Sequence, residues 1–271
     1  MIPQAYINEW RKTAPWVQGA QVEQDLVISR ALIEIFNRPL LAEHLAFRGG
    51  TALFKLHLPA ARYSEDIDLV QVVAAPIGPL LTELRETLDP WLGEPKRTRS
   101  EGRVTLIYRF TSEDQLPLRL KIEINTREHF SVFDFIRLPF AVHSRWFNGE
   151  TKILTYSLDE LLGTKLRALF QRKKGRDLFD LWYAFQVSQP PLDADRVMTA
   201  FLKYMEHGEH RISRAIYEQN MLEKRKDGQF TADIGPLLTT SEVWSFDQAF
   251  DWLMDQLLSR LPGEPWQGKE T

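Results

Sequence analysis

The sequence predicts an α+β protein: a small mixed β-sheet with flanking helices over residues 1–156, followed by a helical domain over residues 157–271. Three observations carry the prediction. Strongly alternating apolar and polar segments are confined to the first part. From Ser157 onward the pattern is helical. The change is marked by Ser157-Leu158-Asp159-Glu160, which has the form of a capping box, with Ser at the cap and Glu three residues on. No Pro/Gly/Ser-rich linker separates the two parts, so the boundary is soft.

The elements follow in order. Val22, Leu26, Val27, Ala31, Leu32 and Ile35 recur at helical spacing, and Pro39 marks a break soon after. The short apolar stretch Leu45-Ala46-Phe47 predicts a strand that runs into Arg48-Gly49-Gly50, and Thr51 to His57 a second helix. The end of Ser64-Glu65-Asp66-Ile67-Asp68-Leu69-Val70 reads as a strand, and residues 77–93 as an amphipathic helix. Val104, Leu106, Tyr108 and Phe110 alternate with polar neighbours apart from Ile107, as do Leu116, Leu118, Leu120, Ile122 and Ile124; the loop Thr111 to Gln115 suits a hairpin. Residues 132–155 are strand-like in patches. Leu161, Leu162, Leu166, Leu169 and Phe170 extend the capped helix until Gly175 breaks it; the pattern resumes from Asp177 to Phe185. Phe246, Phe250, Leu253 and Leu257 form a last apolar stripe.

Composition narrows the function. At 271 residues, 44% hydrophobic and 26% charged, the chain can bury a sizeable core and is not of disordered type. With no cysteine, disulfides, thiolate catalysis and Cys-ligated metals are excluded. A net charge of −3 argues against a generally basic nucleic-acid coat but leaves room for a local basic groove. No apolar run reaches the roughly 20 residues of a membrane span, and the first residues lack a signal-peptide pattern, so the expected location is the cytoplasm with no membrane partner.

Four groups of residues could carry chemistry. Gly49-Gly50-Thr51 lies between a strand and a helix, where glycines let backbone approach a phosphate closely; taken alone, the pair reads first as a tight turn needing positive φ. Asp66 and Asp68, two apart in a strand, share one face, and two close carboxylates repel unless a cation such as Mg²⁺ joins them; a solvated edge strand is the alternative. Glu123, on the polar face of its strand, either completes a three-carboxylate metal site or pairs with neighbouring cations. Lys165, Arg167, Arg172, Lys173, Lys174 and Arg176 fall within twelve residues without an acid, a stripe suited to phosphates or RNA, or a solvated face. His207 and His210 read as surface residues.

Taken together, Phe47-Arg48-Gly49-Gly50-Thr51-Ala52-Leu53, Arg62-Tyr63-Ser64-Glu65-Asp66-Ile67-Asp68-Leu69 and Lys165…Arg172…Arg176-Asp177-Leu178-Phe179-Asp180 resemble the motifs of the AbiEii/AbiGii nucleotidyltransferase toxin family, which includes MenT-like proteins, within the polymerase-β-like superfamily. The likeness covers roughly residues 20–187. It implies a nucleotidyltransferase core and a helical C-terminal domain that contributes Lys165 and Asp177. The implied activity is transfer of NMP from an NTP to an RNA acceptor, the tRNA 3′ end in MenT-like members, beside a separately encoded antitoxin. By the same resemblance Asp66 and Asp68 are metal-binding catalytic carboxylates for Mg²⁺ or Mn²⁺, with Glu123 at the third acid. Gly49, Gly50, Thr51 and Ser64 hold the triphosphate, and Lys165 and Asp177 are catalytic. Arg172 adds bidentate phosphate contacts, and Lys173, Lys174 and Arg176 are candidates for RNA. The sequence also admits nucleotidyl or phosphoryl transfer to a small molecule or protein, or a non-catalytic binding module. It specifies no NTP and no oligomeric state.

Overall fold

A computed structural model describes residues 2–239 and 243–268, and the chain divides into two compact units, Met1–Tyr156 and Ser157–Thr271.

The first unit opens with helices α1 (Gln4–Trp10), α2 (Gly19–Phe36) and α3 (Pro39–His44), then β1 (Leu45–Arg48), α4 (Gly49–Ala52), a π-helical turn (Leu53–His57) and β2 (Asp66–Gln71). Helix α5 (Gly78–Leu92) precedes β3 (Lys96–Ser100), β4 (Arg103–Thr111), β5 (Pro117–Asn125), β6 (Phe135–His143) and β7 (Asn148–Tyr156). Among the described residues these strands form one seven-stranded sheet in the order β3-β4-β5-β2-β1-β7-β6. It is mixed: β2 runs parallel to β5 and β1 to β7, and the other pairs are antiparallel. The expected α+β class and mixed sheet are present.

The sheet has an apolar face because alternate side chains on β2, β4 and β5 are apolar. Ile67 and Leu69 on β2, Leu120, Ile122 and Ile124 on β5, and Val104, Leu106 and Tyr108 on β4 are buried. Helix α2 packs against β5, β6 and β7, and α5 against β4. Helix α2 is buried almost all round, polar residues included, and they are satisfied internally. The Asp25 carboxylate accepts hydrogen bonds from Trp10 Nε1 (2.8 Å), Trp16 Nε1 (3.1 Å) and Lys55 Nζ (2.7 Å). That network ties the N-terminal segment to the core.

The second unit is helical: α6 (Leu158–Gln171), α7 (Gly175–Val187), α8 (Ala194–His207), α9 (Arg214–Arg225), α10 (Gly228–Ala232) and α11 (Phe246–Gln256). Ser157 caps α6, its Oγ accepting from Glu160 N–H at 3.4 Å. The Glu160 carboxylate turns inward and accepts from Tyr204 Oη at 2.9 Å, so tertiary contact replaces the second arm of the expected capping box. Gly163 lets α6 and α8 approach, since a Cβ there would stand 2.6 Å from Ala200 Cβ and 2.9 Å from Phe201 N.

Several elements differ from the sequence pattern. Pro39 does not merely end a helix; it starts α3, where its missing N–H costs nothing. The helix expected from Thr51 begins at Gly49 and passes into π-helical geometry after Ala52. Gly175 opens α7 rather than breaking a helix, because a Cβ would lie 2.1 Å from Phe230 O. Strand β3 had no apolar alternation to announce it; every residue in it is exposed.

Candidate active site

Strand β2 places Asp66 and Asp68 on the polar side of the sheet, both partly exposed, with Ile67 and Leu69 in the core beneath. The neighbouring strands fix what faces them, since directly paired residues share a side. Asp66 pairs with Lys121 and Asp68 with Glu123 across β5, and Arg48 of β1 pairs with Asp68. Lys121 Nζ lies 3.3 Å from Asp66 Oδ2 and 3.0 Å from Glu123 Oε2, and Arg103 Nε lies 3.1 Å from the other Glu123 oxygen. Arg48 Nη1 reaches Glu128 at 2.6 Å.

The electrostatics follow from this packing. Burial pushes the Asp68 carboxyl up, and the negative charge of Asp66 pushes it further, against the pull of Arg48. For Lys121, burial disfavours the ammonium, but Asp66 and Glu123 outweigh it and hold the group above its ordinary value. The acids therefore sit in a field that favours a cation, and Lys121 supplies one. Lys121 and Arg48 were not singled out in the sequence. Lys121 could have been found from the alternation that placed Glu123, because it stands two residues earlier on the same face.

The Gly49-Gly50 turn lies against this pair. Gly49 has φ +84°, and a Cβ on it would stand 2.2 Å from Asp68 Oδ2. A Cβ on Gly50 would stand 2.4 Å from Arg62 Nη2 and 3.1 Å from Ser64 Oγ. Thr51 Oγ1 donates to Asp66 O at 2.6 Å and lies 2.9 Å from Ser64 Oγ. The structure thus brings Gly49, Gly50, Thr51, Ser64, Asp66 and Asp68 together. It brings Glu123 into the same row, but as the partner of Lys121 and Arg103. Among the described residues, no three His, Asp or Glu side chains gather as a metal-holding group.

The second unit holds its own charged cluster. Lys165, buried on α6, lies 3.2 Å from Asp177 Oδ1 and 2.8 Å from Asp180 Oδ2. Arg172 makes a forked pair with Asp177, Nε at 2.7 Å and Nη2 at 2.8 Å. The i, i+3 spacing of Asp177 and Asp180 on α7 puts both carboxylates on one side of the helix. Lys173 pairs with Asp227 (3.3 Å), and Lys174 and Arg176 with Asp233 (both 3.6 Å). The stripe that looked uncompensated in sequence meets acids from later in the chain. His207 and His210 are exposed.

A mixed sheet with an acid pair beside a Gly-Gly turn, joined to a helical unit, defines a protein of nucleotidyltransferase fold. Similar solved structures agree. MenT4, a nucleotidyltransferase toxin from Mycobacterium tuberculosis, superposes with a TM-score of 0.71 over 97% of this chain and 91% of its own, at 17% identity. JHP933 from Helicobacter pylori gives 0.54 over 88% and 90%, at 15% identity. A second structure from H. pylori gives 0.55 over 88% and 93%, at 17% identity. No curated protein matches the sequence. The model of the family described as Nucleotidyl transferase AbiEii toxin, Type IV TA system, matches residues 30–252, and the chain belongs to that family. It is a nucleotidyltransferase and the toxin of a type IV toxin–antitoxin system. Among the described residues no helix is long and apolar enough to cross a membrane.

Proposed function

We propose that this toxin acts in the cytoplasm and transfers a nucleoside monophosphate from an NTP to the 3′ end of an RNA, tRNA being the acceptor to test first. A separately encoded antitoxin restrains it. The observation that carries this reading is the pair Asp66 and Asp68 on one face of β2, with the Gly49-Gly50 turn packed closely against Asp68, Arg62 and Ser64.

The donor set fits Mg²⁺. The ion takes hard oxygen ligands, commonly one or two carboxylates completed by substrate phosphates rather than an all-protein cage. Two neighbouring carboxylates, with Asp66 raising the cost of ionising Asp68, are such a set. Asp66 and Asp68 would hold the ion; Glu123 joins only by leaving Lys121 and Arg103. When bound, the metal supplies neutralising charge at the triphosphate and acidifies the acceptor hydroxyl.

The protein's own groups do the positioning. Gly49 and Gly50 let the triphosphate approach the backbone, and the Thr51 and Ser64 hydroxyls fix the turn on which it rests. The acceptor 3′-oxygen bonds to the α-phosphorus, the α–β bridging bond breaks, pyrophosphate leaves, and the hydroxyl proton is released. In the second unit Lys165, Arg172 and Asp177 are the residues assigned to catalysis, Asp177 orienting both the lysine and the arginine.

The test incubates the protein with Mg²⁺, each α-labelled NTP in turn, and total tRNA. Label on RNA with at least one NTP, lost in Asp66→Ala with the fold retained, supports the proposal. Label on protein alone, or unchanged transfer by Asp66→Ala, overturns it.

A further inference from the structure

The polar side of the sheet extends past the acids to an edge that the function has not absorbed. Cross-strand pairing gives its rows directly. Asp66, Lys121, Ile107 and Lys96 form one row over β2, β5, β4 and β3. Asp68, Glu123, Thr105 and Thr98 form the next. Arg109 and Arg119 pair with each other across β4 and β5, at the end of the sheet nearer Asp66 than Asp68. Three strand spacings, about 14 Å, separate the acids from the edge.

This surface is basic and largely uncompensated. Strand β3 reads Lys96-Arg97-Thr98-Arg99-Ser100 and is exposed throughout; Lys96, Thr98 and Ser100 share the acids' side, whereas Arg97 and Arg99 pair with Leu106 and Val104 on the other. Among the described residues on the acids' side, Lys96 and Arg109 have no ion-pair or hydrogen-bond partner through their side chains. Arg119 has only a loose exposed pair with Glu65 at 3.7 Å. Directly opposed like charges destabilise a strand pair, so the Arg109–Arg119 juxtaposition is a cost that an anion would relieve. A cleft of about 460 Å³ lined by Gln24, Glu65, Arg109, Thr111, Leu118 and Arg119 opens beside that pair. In a chain of net charge −3, Lys96, Arg109 and Arg119 on the acids' side of the sheet are complementary to a polyanion. The stripe from Lys165 to Arg176 has its charges met by Asp177, Asp180, Asp227 and Asp233.

Resting on the reading that the acceptor is RNA, we infer that the β3–β4–β5 surface is the track for its sugar-phosphate backbone. Lys96, Arg109 and Arg119 contact phosphates, and the 3′ end is delivered along the sheet toward Asp66 and Asp68. Backbone contacts of this kind position a nucleic acid without reading its sequence. They also make binding fall with salt, by about 0.7 to 0.9 log units of affinity per log unit of salt for each phosphate neutralised.

The experiment measures binding of fluorescein-labelled unfractionated tRNA by anisotropy across a salt series. It compares the wild type, the triple variant K96E/R109E/R119E, and K173E/K174E on the rival stripe. Thermal melting checks that the exposed substitutions leave the fold intact, and binding of a fluorescent NTP is read on the same samples. The expected result is at least tenfold weaker tRNA binding by the triple variant and a salt slope shallower by about 2 to 3. NTP binding is unchanged, and K173E/K174E shifts affinity less than threefold. Wild-type affinity and slope in the triple variant overturn the inference, as does loss confined to K173E/K174E. If wild type binds NTP but no RNA, the RNA reading itself fails and the track falls with it. If the triple variant loses antitoxin instead of tRNA, the surface is a protein interface and the inference is wrong.

Discussion

Gly49→Ala tests the geometry of the acid pair. The residue has φ +84°, and the added methyl would stand 2.2 Å from Asp68 Oδ2 and 3.0 Å from its Cγ. Left-handed backbone costs an L-residue about 1–2 kcal/mol. Turning the Asp68 side chain off its preferred rotamer adds about 0.5–1.5 kcal/mol. The lower entropy of an unfolded chain with Ala offsets about 0.4–1 kcal/mol. The net expectation is a loss of about 1–2 kcal/mol in urea unfolding. The effect on transfer is larger, because a carboxylate displaced by about an ångström can cost a factor of about 100. A double-mutant cycle separates the causes. In an Asp68→Ala background the nearest atoms are gone, so Gly49→Ala should cost only the backbone part, leaving a coupling of about 1 kcal/mol. A coupling of zero, or near-normal transfer by Gly49→Ala alone, would refute the claim that Asp68 dictates glycine here.

Further predictions address the surrounding charges. Lys121→Met removes the ammonium 3.3 Å from Asp66 and 3.0 Å from Glu123, so the acids should bind Mn²⁺ about tenfold more tightly (about 1.4 kcal/mol) by titration calorimetry; equal or weaker binding contradicts it. Asp177→Ala leaves Lys165 buried with one acid fewer and Arg172 without its fork, and should destabilise by about 3–5 kcal/mol in thermal or urea melts. Asp177→Asn is then the variant for asking about transfer, and a melt of Asp177→Ala like wild type would show that the pair is not structural. Burial lowers His57 to about 4 from its ordinary 6.5, so the native state keeps it neutral while the unfolded chain takes up a proton below 6.5. Stability is full above that value and falls as the pH drops toward 4, by about 2 kcal/mol between pH 7 and pH 5. His57→Asn should flatten this part of the profile; an unchanged slope assigns it elsewhere.

The sequence made the parts of the fold legible where one physical period dominated. The alternation over residues 104–110 and 116–124 became β4 and β5, and the stripe of α2 became the helix beneath the sheet. Asp66 and Asp68 were legible because a two-residue offset in a strand has one geometric meaning. Strand β3 was illegible because an edge strand exposed on every residue needs no apolar face, and charge is what keeps such an edge from pairing with other chains. Helices α8, α9 and α10 went unmarked, although Asp193, Ser213 and Asp227 cap them through side-chain oxygens. Those caps are short-range signals, yet α8 was legible by its apolar stripe as well, Val197, Met198, Phe201, Tyr204 and Met205 falling at helical spacing.

The charges taught the opposite lesson. A run of lysines and arginines without neighbouring acids looks free in sequence, yet folding brings Asp227 and Asp233 from 54 to 59 residues further along to meet it. Lys96, Arg97 and Arg99 form a shorter run that drew no notice, and they end without partners among the described residues. Availability of charge is a property of the folded surface, since an ion pair within the protein competes with any polyanion for the same ammonium or guanidinium. The same reasoning applies at the acids. Glu123 had the position of a third ligand, but Lys121 and Arg103 reach it first, so the cation that this face favours is already supplied by the chain. A substrate-borne metal must therefore displace or outcompete a lysine, and that contest makes the affinity of Lys121→Met for Mn²⁺ a direct measure of how the resting site is held.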